Sequence, residues 1–188
     1  MSNHFATHRP LLMSTNWMIT ADHPLAVQAG AAVLESGGNA VDAAVAANLV
    51  MTTVRPHMCG IGGDLFMLIH MAAKGTFDAL NASGRAPAGA TLEAYQGLGY
   101  QRVPETGIHA CTVPGALAGW QAALQKHGTM GLDSLLARAI PYARDGFPVY
   151  PDLVHALKER QALLLAAGAA GETLLPGGSI PRVGQLMV

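Results

Sequence analysis

Hydrophobic positions along the chain follow two periods, one typical of α-helices and one typical of β-strands. The helical period covers Pro24–Glu35, with Gly37 and Gly38 as a stop signal. It resumes after Asn39, which can cap a second helix running through residues 43–49. That helix is rich in alanine on most faces, which predicts burial between layers. Further helices are predicted near residues 92–95 and over residues 116–126, 133–144 and 151–165.

Short runs rich in apolar and β-branched residues predict the strands. Residues 65–71 and 76–80 lie on either side of a short connection and predict a hairpin in which Gly75 helps the turn. Helices packed in pairs on such an antiparallel sheet form a layered α+β fold, which is the predicted fold class. Other strand candidates are residues 17–20 and 108–113, and the predicted loops are residues 54–63, 81–87 and 166–178.

The composition agrees with a domain that meets more protein. Hydrophobic residues make up 51% of the 188 residues and charged residues only 12%, so the chain has more to bury than it can cover with charge. The net charge is -1 and no segment gathers lysine and arginine, which excludes a nucleic-acid partner and a membrane-surface partner.

The start of the chain is polar, and we expect residues 1–16 to be an N-terminal tail. No continuous apolar segment precedes Trp17, so we expect no signal peptide. The longest apolar stretch, residues 43–54, is interrupted by polar residues and is too short to span a membrane. Together these features predict a cytoplasmic protein.

Metal and thiol chemistry find little support in the sequence. His4 and His8 are four residues apart but stand in the polar tail, so we expect neither a metal site nor a cofactor. Cys59 and Cys111 lack a C-x-x-C spacing and are interpreted as free or buried thiols, although a disulfide between them stays open.

Two local motifs have both a functional and a structural interpretation. The glycines of residues 60–64 could cradle a phosphate, but they follow a helix and precede a strand, which favours a tight connection. Ser83 is not in a nucleophile elbow. Arg85 precedes Pro87 in a bend where a guanidinium can bind a carboxylate, whereas local sequence alone favours a surface arginine or a structural ion pair.

Five motifs in order resemble the γ-glutamyltransferase family, from Trp17 to Leu186. Because several ordered motifs match together, the resemblance is more specific than any single one. The motifs are residues 22–26 with 37–46 (Asp-His-Pro-Leu-Ala and Gly-Gly-Asn-Ala-Val-Asp-Ala-Ala-Val-Ala), residues 60–67 (Gly-Ile-Gly-Gly-Asp-Leu-Phe-Met), residues 85–87 (Arg-Ala-Pro), residues 112–115 (Thr-Val-Pro-Gly) and residues 143–147 (Ala-Arg-Asp-Gly-Phe).

The resemblance implies a four-layer αββα sandwich of the N-terminal-nucleophile hydrolase type, incomplete in this chain. It also implies a precursor that cleaves itself, so that a new N-terminal threonine attacks an amide carbonyl with its own α-amine as base. That threonine is expected outside this chain, which would leave residues 17–188 as a partial large-subunit domain without a catalytic residue. The implied partners are the remaining large-subunit segment, the small subunit of the same precursor, and a small amide or γ-glutamyl substrate.

The chain departs from the family at the substrate carboxylate. γ-Glutamyltransferases use an arginine of an Arg-Glu-x-Ala-Pro-like motif, and Ser83 stands at that place with Arg85 two positions later. This form is similar to the acylase and amidohydrolase relatives, among them oxamate amidohydrolases. We therefore expect amide hydrolysis, with Arg85 as the main substrate-binding candidate and Asn81 and Ser83 as weaker ones. The alternatives are an authentic γ-glutamyl transferase or glutathione hydrolase, and an inactive scaffold.

Overall fold

The computed structural model describes residues 12–188. Helices and short strands alternate along the chain, which confirms the predicted α+β class. The helices are α1 (Pro24–Glu35), α2 (Ala40–Val54), α3 (Leu92–Gly97), α4 (Ala116–His127), α5 (Leu132–Leu136), α6 (Ile140–Arg144), α7 (Pro151–Glu159), α8 (Gln161–Leu165) and α9 (Ala169–Leu174). The strands are β1 (Leu65–Met71), β2 (Thr76–Ala82), β3 (Phe147–Pro148) and β4 (Leu186–Met187).

Helices α1 and α2 begin and end at the signals present in the sequence. Gly37 has a φ of 88°, and Gly38 N–H donates to the Val33 carbonyl at 3.0 Å, which together form a Schellman motif at the end of α1. Asn39 and Asp42 then form a capping box, because each side chain accepts a hydrogen bond from the other's backbone N–H. Helix α2 continues beyond the predicted residues 43–49 to Val54.

The predicted hairpin is formed by β1 and β2, which pair antiparallel from Leu65 opposite Ala82 to Met71 opposite Thr76. Gly75 lies in the left-handed region at a φ of 60°, as the turn requires. One face of the hairpin packs on helices, since Ile69 clusters with Val41 of α2 and Ala123 of α4. The opposite face exposes large apolar side chains, with Phe66 67%, Leu68 72% and Phe77 67% exposed.

The core lies between α1, α2, α4 and the later helices. Helix α2 is buried on most of its faces, as its alanine content predicted. Trp120 of α4 is 1% exposed, and its indole N–H donates to Asn48 Oδ1 at 2.8 Å, so the largest core side chain keeps its polar atom paired. These contacts fix α4 against α2 and thereby set the position of the hairpin.

Two predicted strands are wrong. Residues 17–20 form no strand among the described residues, because Ile19 packs on the helical core and no neighbouring strand offers backbone partners. Residues 108–113 form a 3₁₀ turn, Ile108–Ala110, followed by an extended segment. That segment makes one backbone hydrogen bond to the loop after β2, from Val113 N–H to the Arg85 carbonyl at 2.9 Å.

The helices of the second half are shorter than predicted. The helix expected over residues 133–144 is divided into α5 and α6, because Pro141 has no N–H to donate and its ring would collide with the preceding turn. The helix expected over residues 151–165 breaks at Arg160, which has a φ of -110°. Residues 166–178, expected to be a loop, contain α9, which begins after Gly168 at a φ of 59°.

A two-residue strand pair closes the end of the described chain. Phe147 of β3 pairs with Met187 of β4, and both side chains are buried. Strands of this length leave no periodic pattern, so the sequence did not predict them.

The remaining predictions concern the thiols, the tail and the membrane. Cys59 and Cys111 are both free, so the disulfide left open by the sequence is absent. His4 and His8 lie outside the described residues, and the boundary between a tail of residues 1–16 and the domain stays a prediction. Within residues 12–188, no helix has the length and apolar character needed to cross a membrane.

Candidate functional site

The site candidates lie where the loop after β2 meets the segment before α4. Val113 N–H donates to the Arg85 carbonyl at 2.9 Å, which ties the two segments together. The backbone of Gly84 lies against that of Val113. A Cβ on Gly84 would overlap the Val113 carbonyl oxygen. A Cβ on Gly115 would likewise overlap the Ala82 carbonyl oxygen. Both glycines are therefore required by close backbone approach.

The glycine-rich segment before β1 holds both of these loops. The Gly63 carbonyl accepts hydrogen bonds from the N–H groups of Gly115 at 3.1 Å and Ala116 at 2.9 Å. Asp64 Oδ1 accepts from Gly84 N–H at 2.9 Å and lies 3.4 Å from the Thr112 hydroxyl. The segment uses a carbonyl and a carboxylate as acceptors, which supports the interpretation of a tight connection over that of a phosphate loop.

All three predicted substrate-binding residues are brought together here. Asn81, Ser83 and Arg85 are exposed and line one cavity of about 540 Å³, whose opposite wall is the start of α4. Asn81 Oδ1 accepts a hydrogen bond from Ser83 N–H at 2.9 Å, which shapes the bend. Among residues 12–188 the Arg85 guanidinium makes no ion pair, so the interpretation of a structural ion pair finds no support.

Sequence reasoning did not assign Asp64 and Thr112 to the site. Both stand in motifs that the sequence analysis recognised, residues 60–67 and residues 112–115. Their roles depend on contacts between segments 20 and 48 residues apart, which no local pattern contains. The order of the motifs was the available signal, because three of them, at residues 60–67, 85–87 and 112–115, meet at one place.

A larger cavity of about 680 Å³ adjoins the first one. Ala86 lines both cavities, so the chain between Arg85 and Pro87 forms their common edge. The walls of the larger cavity come from α3 and the 3₁₀ turn that follows it, and include Tyr95 and His109. The sequence predicted the short helix but gave no indication of the cavity.

A cluster of charged and imidazole side chains surrounds Arg55, which directly follows α2. The Arg55 guanidinium pairs with the Asp22 carboxylate, and its second nitrogen lies 3.0 Å from Asp152 at the start of α7. His57 lies 3.9 Å from Asp152 and 3.4 Å from Arg55. Burial lowers the pKa of His57, and the charge of Arg55 lowers that pKa further, while Asp152 opposes the shift. The cluster links the end of α2 to α7. None of its side chains lines either of the two cavities that share Ala86.

No nucleophile is assembled within the described residues. Among residues 12–188, no hydrogen bond joins a serine, threonine or cysteine side chain to a histidine, and the Thr112 hydroxyl points to Asp64. Nor does this part of the chain hold three or more His, Cys, Asp or Glu side chains placed to bind a metal. The arrangement can bind an anionic group through Arg85 but offers no attacking group of its own.

Comparison with known proteins extends across the whole described site. A family model for gamma-glutamyltranspeptidase matches residues 26–188. The chain is 40% identical over 179 residues to an oxamate amidohydrolase proenzyme of Klebsiella pneumoniae, covering 92% of this chain and 33% of that one. It is 35% identical over 178 residues to a glutathione hydrolase-like YwrD proenzyme of Bacillus subtilis, covering 94% and 34%.

The fold is also similar to solved structures. The crystal structure of Helicobacter pylori gamma-glutamyltranspeptidase superposes with a TM-score of 0.88 at 34% sequence identity, covering 95% of this chain and 52% of that one. The chain spans about a third of the length of the curated relatives it matches. The matched region includes every motif that meets around Arg85.

Proposed function

The chain belongs to the γ-glutamyltranspeptidase family, and we propose that it forms the scaffold and part of the substrate pocket of an enzyme that cleaves amide bonds. Hydrolysis by water and acyl transfer to an amine are the two outcomes open to such an enzyme. The proposed enzyme is a precursor that cleaves itself to expose an N-terminal threonine, in agreement with the proenzyme names of the relatives.

The arrangement of Arg85 is the observation that supports this proposal best. Its backbone is held by Val113, and the preceding Gly84 is held by Asp64, so the base of the side chain is fixed on both sides. The guanidinium itself is exposed beside a cavity and is available to a ligand. A guanidinium binds a carboxylate through two parallel hydrogen bonds, which orients a small substrate as well as holding it.

The proposed substrate is a small amide that carries a carboxylate, such as oxamate. Ser83 takes the place of the family's carboxylate-binding arginine, which favours an acid shorter than a γ-glutamyl group. The name of the Klebsiella relative agrees with this choice. The second candidate, a γ-glutamyl transferase or glutathione hydrolase that uses Arg85, is supported by the name of the Bacillus relative.

The proposed partners are the rest of the large subunit and the small subunit, which brings the threonine. The outward face of the hairpin, formed by Phe66, Leu68 and Phe77, is the surface that supports this proposal. An apolar sheet face of this kind is stable in water only when another layer covers it. A chain that kept the fold but lost the nucleophile segment would be an inactive scaffold, which is the third candidate.

Expression of the complete reading frame that encodes the chain tests the proposal. We expect the precursor to separate into two chains, detected by gel electrophoresis and mass spectrometry, and to hydrolyse oxamate faster than a γ-glutamyl anilide. A precursor that stays intact would support the inactive scaffold instead. A preference for the anilide would favour the γ-glutamyl candidate.

The variant Arg85→Ala tests the binding role separately. Loss of a charged, bidentate contact costs about 1.5 to 3 kcal/mol, so kcat/KM for oxamate should fall by roughly 10- to 150-fold. The exposed Arg138 makes no ion pair among the described residues and offers a matched control, Arg138→Ala. Equal activity of the two variants on oxamate would contradict the proposed role of Arg85. A cytoplasmic location stays a prediction, which cell fractionation can check.

A further inference from the structure

The larger cavity has walls suited to a flat apolar group. The rings of Tyr95, Tyr100 and His109 lie at the corners of a triangle, with their centroids 5.6 to 6.0 Å apart. The Tyr95 hydroxyl donates to the His109 carbonyl at 2.6 Å, which fixes the ring of Tyr95 across the cavity wall. Tyr100 N–H donates to the Tyr95 carbonyl at 3.0 Å. These two hydrogen bonds hold the Tyr95 ring and connect the backbones of the three residues, and the rings present mainly apolar surface to the cavity.

The charges around the cavity indicate what kind of ring would enter. None of the side chains that line it is acidic, and the charged one is Arg102. Three aromatic rings close together can hold a cation, but a cation site without a carboxylate and beside an arginine is unfavourable. A neutral aromatic or apolar group fits these surroundings, and a ring stacked on Tyr or His gains more than its buried area alone.

The position of the cavity connects this ring site to Arg85. Ala86 lines both cavities and follows Arg85 directly in the chain. A volume of about 680 Å³ is within the range of sites for drug-sized ligands, and it is far larger than a two-carbon acid needs. A ligand whose carboxylate is at Arg85 can therefore extend past Ala86 into the larger cavity.

We propose that the larger cavity binds an aromatic or large apolar substituent of an amide substrate whose carboxylate is held by Arg85. The inference rests on the proposed function and extends its substrate class from small carboxylate-bearing amides such as oxamate to amides that also carry a ring. The walls around Tyr95 and His109 would then determine substrate specificity.

Oxamate and oxanilate, its N-phenyl derivative, are the matched pair of ligands that tests the proposal. Their affinities for the complete protein would be measured by titration calorimetry or ligand-observed NMR. We expect oxanilate to bind at least about tenfold more tightly, because burial of a phenyl ring on aromatic walls increases affinity by that order. A difference close to onefold would overturn the proposal.

Two alanine positions in the same loop provide the variant and its control. Ala90 lines the larger cavity, so Ala90→Phe should fill it and bring the oxanilate preference down towards onefold. Ala88 is exposed and does not line the cavity, so Ala88→Phe should keep the preference. Neither change removes a side-chain hydrogen bond, and far-UV circular dichroism of each variant serves as the control for folding. An oxanilate preference that survives in Ala90→Phe would overturn the proposal.

The role of Arg85 is separated from the role of the cavity by Arg85→Ala. Weaker binding of both ligands by a similar factor supports the shared carboxylate site. Unchanged affinity for both ligands contradicts the proposed function of Arg85. In that case, the cavity is still supported as the ring site if the oxanilate preference persists in Arg85→Ala and is lost in Ala90→Phe.

Discussion

At the scale of single residues, Asp64 connects two of the loops that form the candidate site. Its Oδ1 atom accepts from Gly84 N–H and lies near the Thr112 hydroxyl, so one oxygen joins the loop of Arg85 to the loop before α4. The side chain is exposed, and its hydrogen bonds therefore contribute little to global stability. Its effect should be seen in ligand binding, where a displaced Arg85 loses its orientation.

We predict that Asp64→Ala weakens binding of a carboxylate ligand about tenfold while the melting temperature changes by only a few degrees. Asp64→Asn is the matched control, because its carbonyl oxygen can still accept from Gly84 N–H. Calorimetric titration and thermal unfolding of the same samples give both values. Equal binding by the alanine variant and the native protein would show that Asp64 does not position Arg85.

Gly84 is the residue where backbone approach leaves no room for a side chain. Added atoms would overlap the Val113 carbonyl, so either the loop moves or the hydrogen bond from Val113 to Arg85 is lost. We predict that Gly84→Ala lowers the free energy of unfolding by about 2 kcal/mol or more, measured by urea denaturation. Gly62 has nothing within 4 Å of an added Cβ and no positive φ, so Gly62→Ala should change stability by less than about 1 kcal/mol. Similar losses in both variants would contradict this explanation.

At the scale of elements, Arg55 at the end of α2 pairs with Asp22, just before α1, and with Asp152 at the start of α7. Two histidines lie beside this cluster, His23, which is buried, and His57, which is half-buried. Burial lowers the pKa of His23 and of His57 from the ordinary value of 6.5. Both imidazoles are therefore neutral in the folded protein at pH values where the unfolded chain already binds protons. The unfolded state then takes up more protons, and stability decreases as the pH falls below about 6.5.

We predict that the free energy of unfolding, measured in urea, is lower at pH 5.5 than at pH 7.5. The variant His57→Gln should reduce this dependence, because it removes one of the two imidazoles whose pKa is lowered, while the Arg55 pairs with Asp22 and Asp152 remain. His155 is exposed on α7 beside Glu159 and provides the control, His155→Gln. A pH dependence unchanged in His57→Gln but reduced in His155→Gln would refute this assignment.

Elements whose signals lie within a few residues could be predicted from the sequence, and elements that depend on distant segments could not. Helices α1 and α2 were predicted because their caps are local, as in the box formed by Asn39 and Asp42. The signal that divides the helix at residues 133–144 is also local, since it is Pro141, but the apolar spacing continues across this proline and predicted one helix. By contrast, the pairing of Phe147 with Met187 joins segments 40 residues apart and has no local signal.

The residues of the candidate site also divide into those that a local motif identified and those whose roles depend on distant segments. Arg85, Ser83 and Asn81 were identified because they stand in one motif, and the structure places them on one cavity. The roles of Asp64 and Gly84 as anchors depend on segments that approach only in the folded chain. Motif order indicated the family, whereas the contacts that hold the site required three dimensions.

At the scale of the whole molecule, the described chain has a helical side and an uncovered apolar side. Helices α2 and α4 cover the inner face of the hairpin, while Phe66, Leu68 and Phe77 lie on its outer face. With only 12% charged residues in the sequence, little charge is available to keep such a face soluble. We propose that a covering layer from the same precursor accounts for both features.

We predict that Leu68→Asp prevents the chain from assembling with the remaining parts of its precursor, because burial of an unpaired carboxylate in that interface costs several kcal/mol. The inner face is unchanged, so the helical content of the chain should stay the same by circular dichroism. Val183 is a similarly exposed apolar residue that is not part of the hairpin, and Val183→Asp is the matched control. Co-expression followed by size-exclusion chromatography measures the assembled fraction. If Leu68→Asp assembles as well as Val183→Asp, the outer face of the hairpin is not the covered one, and the apolar face needs another partner.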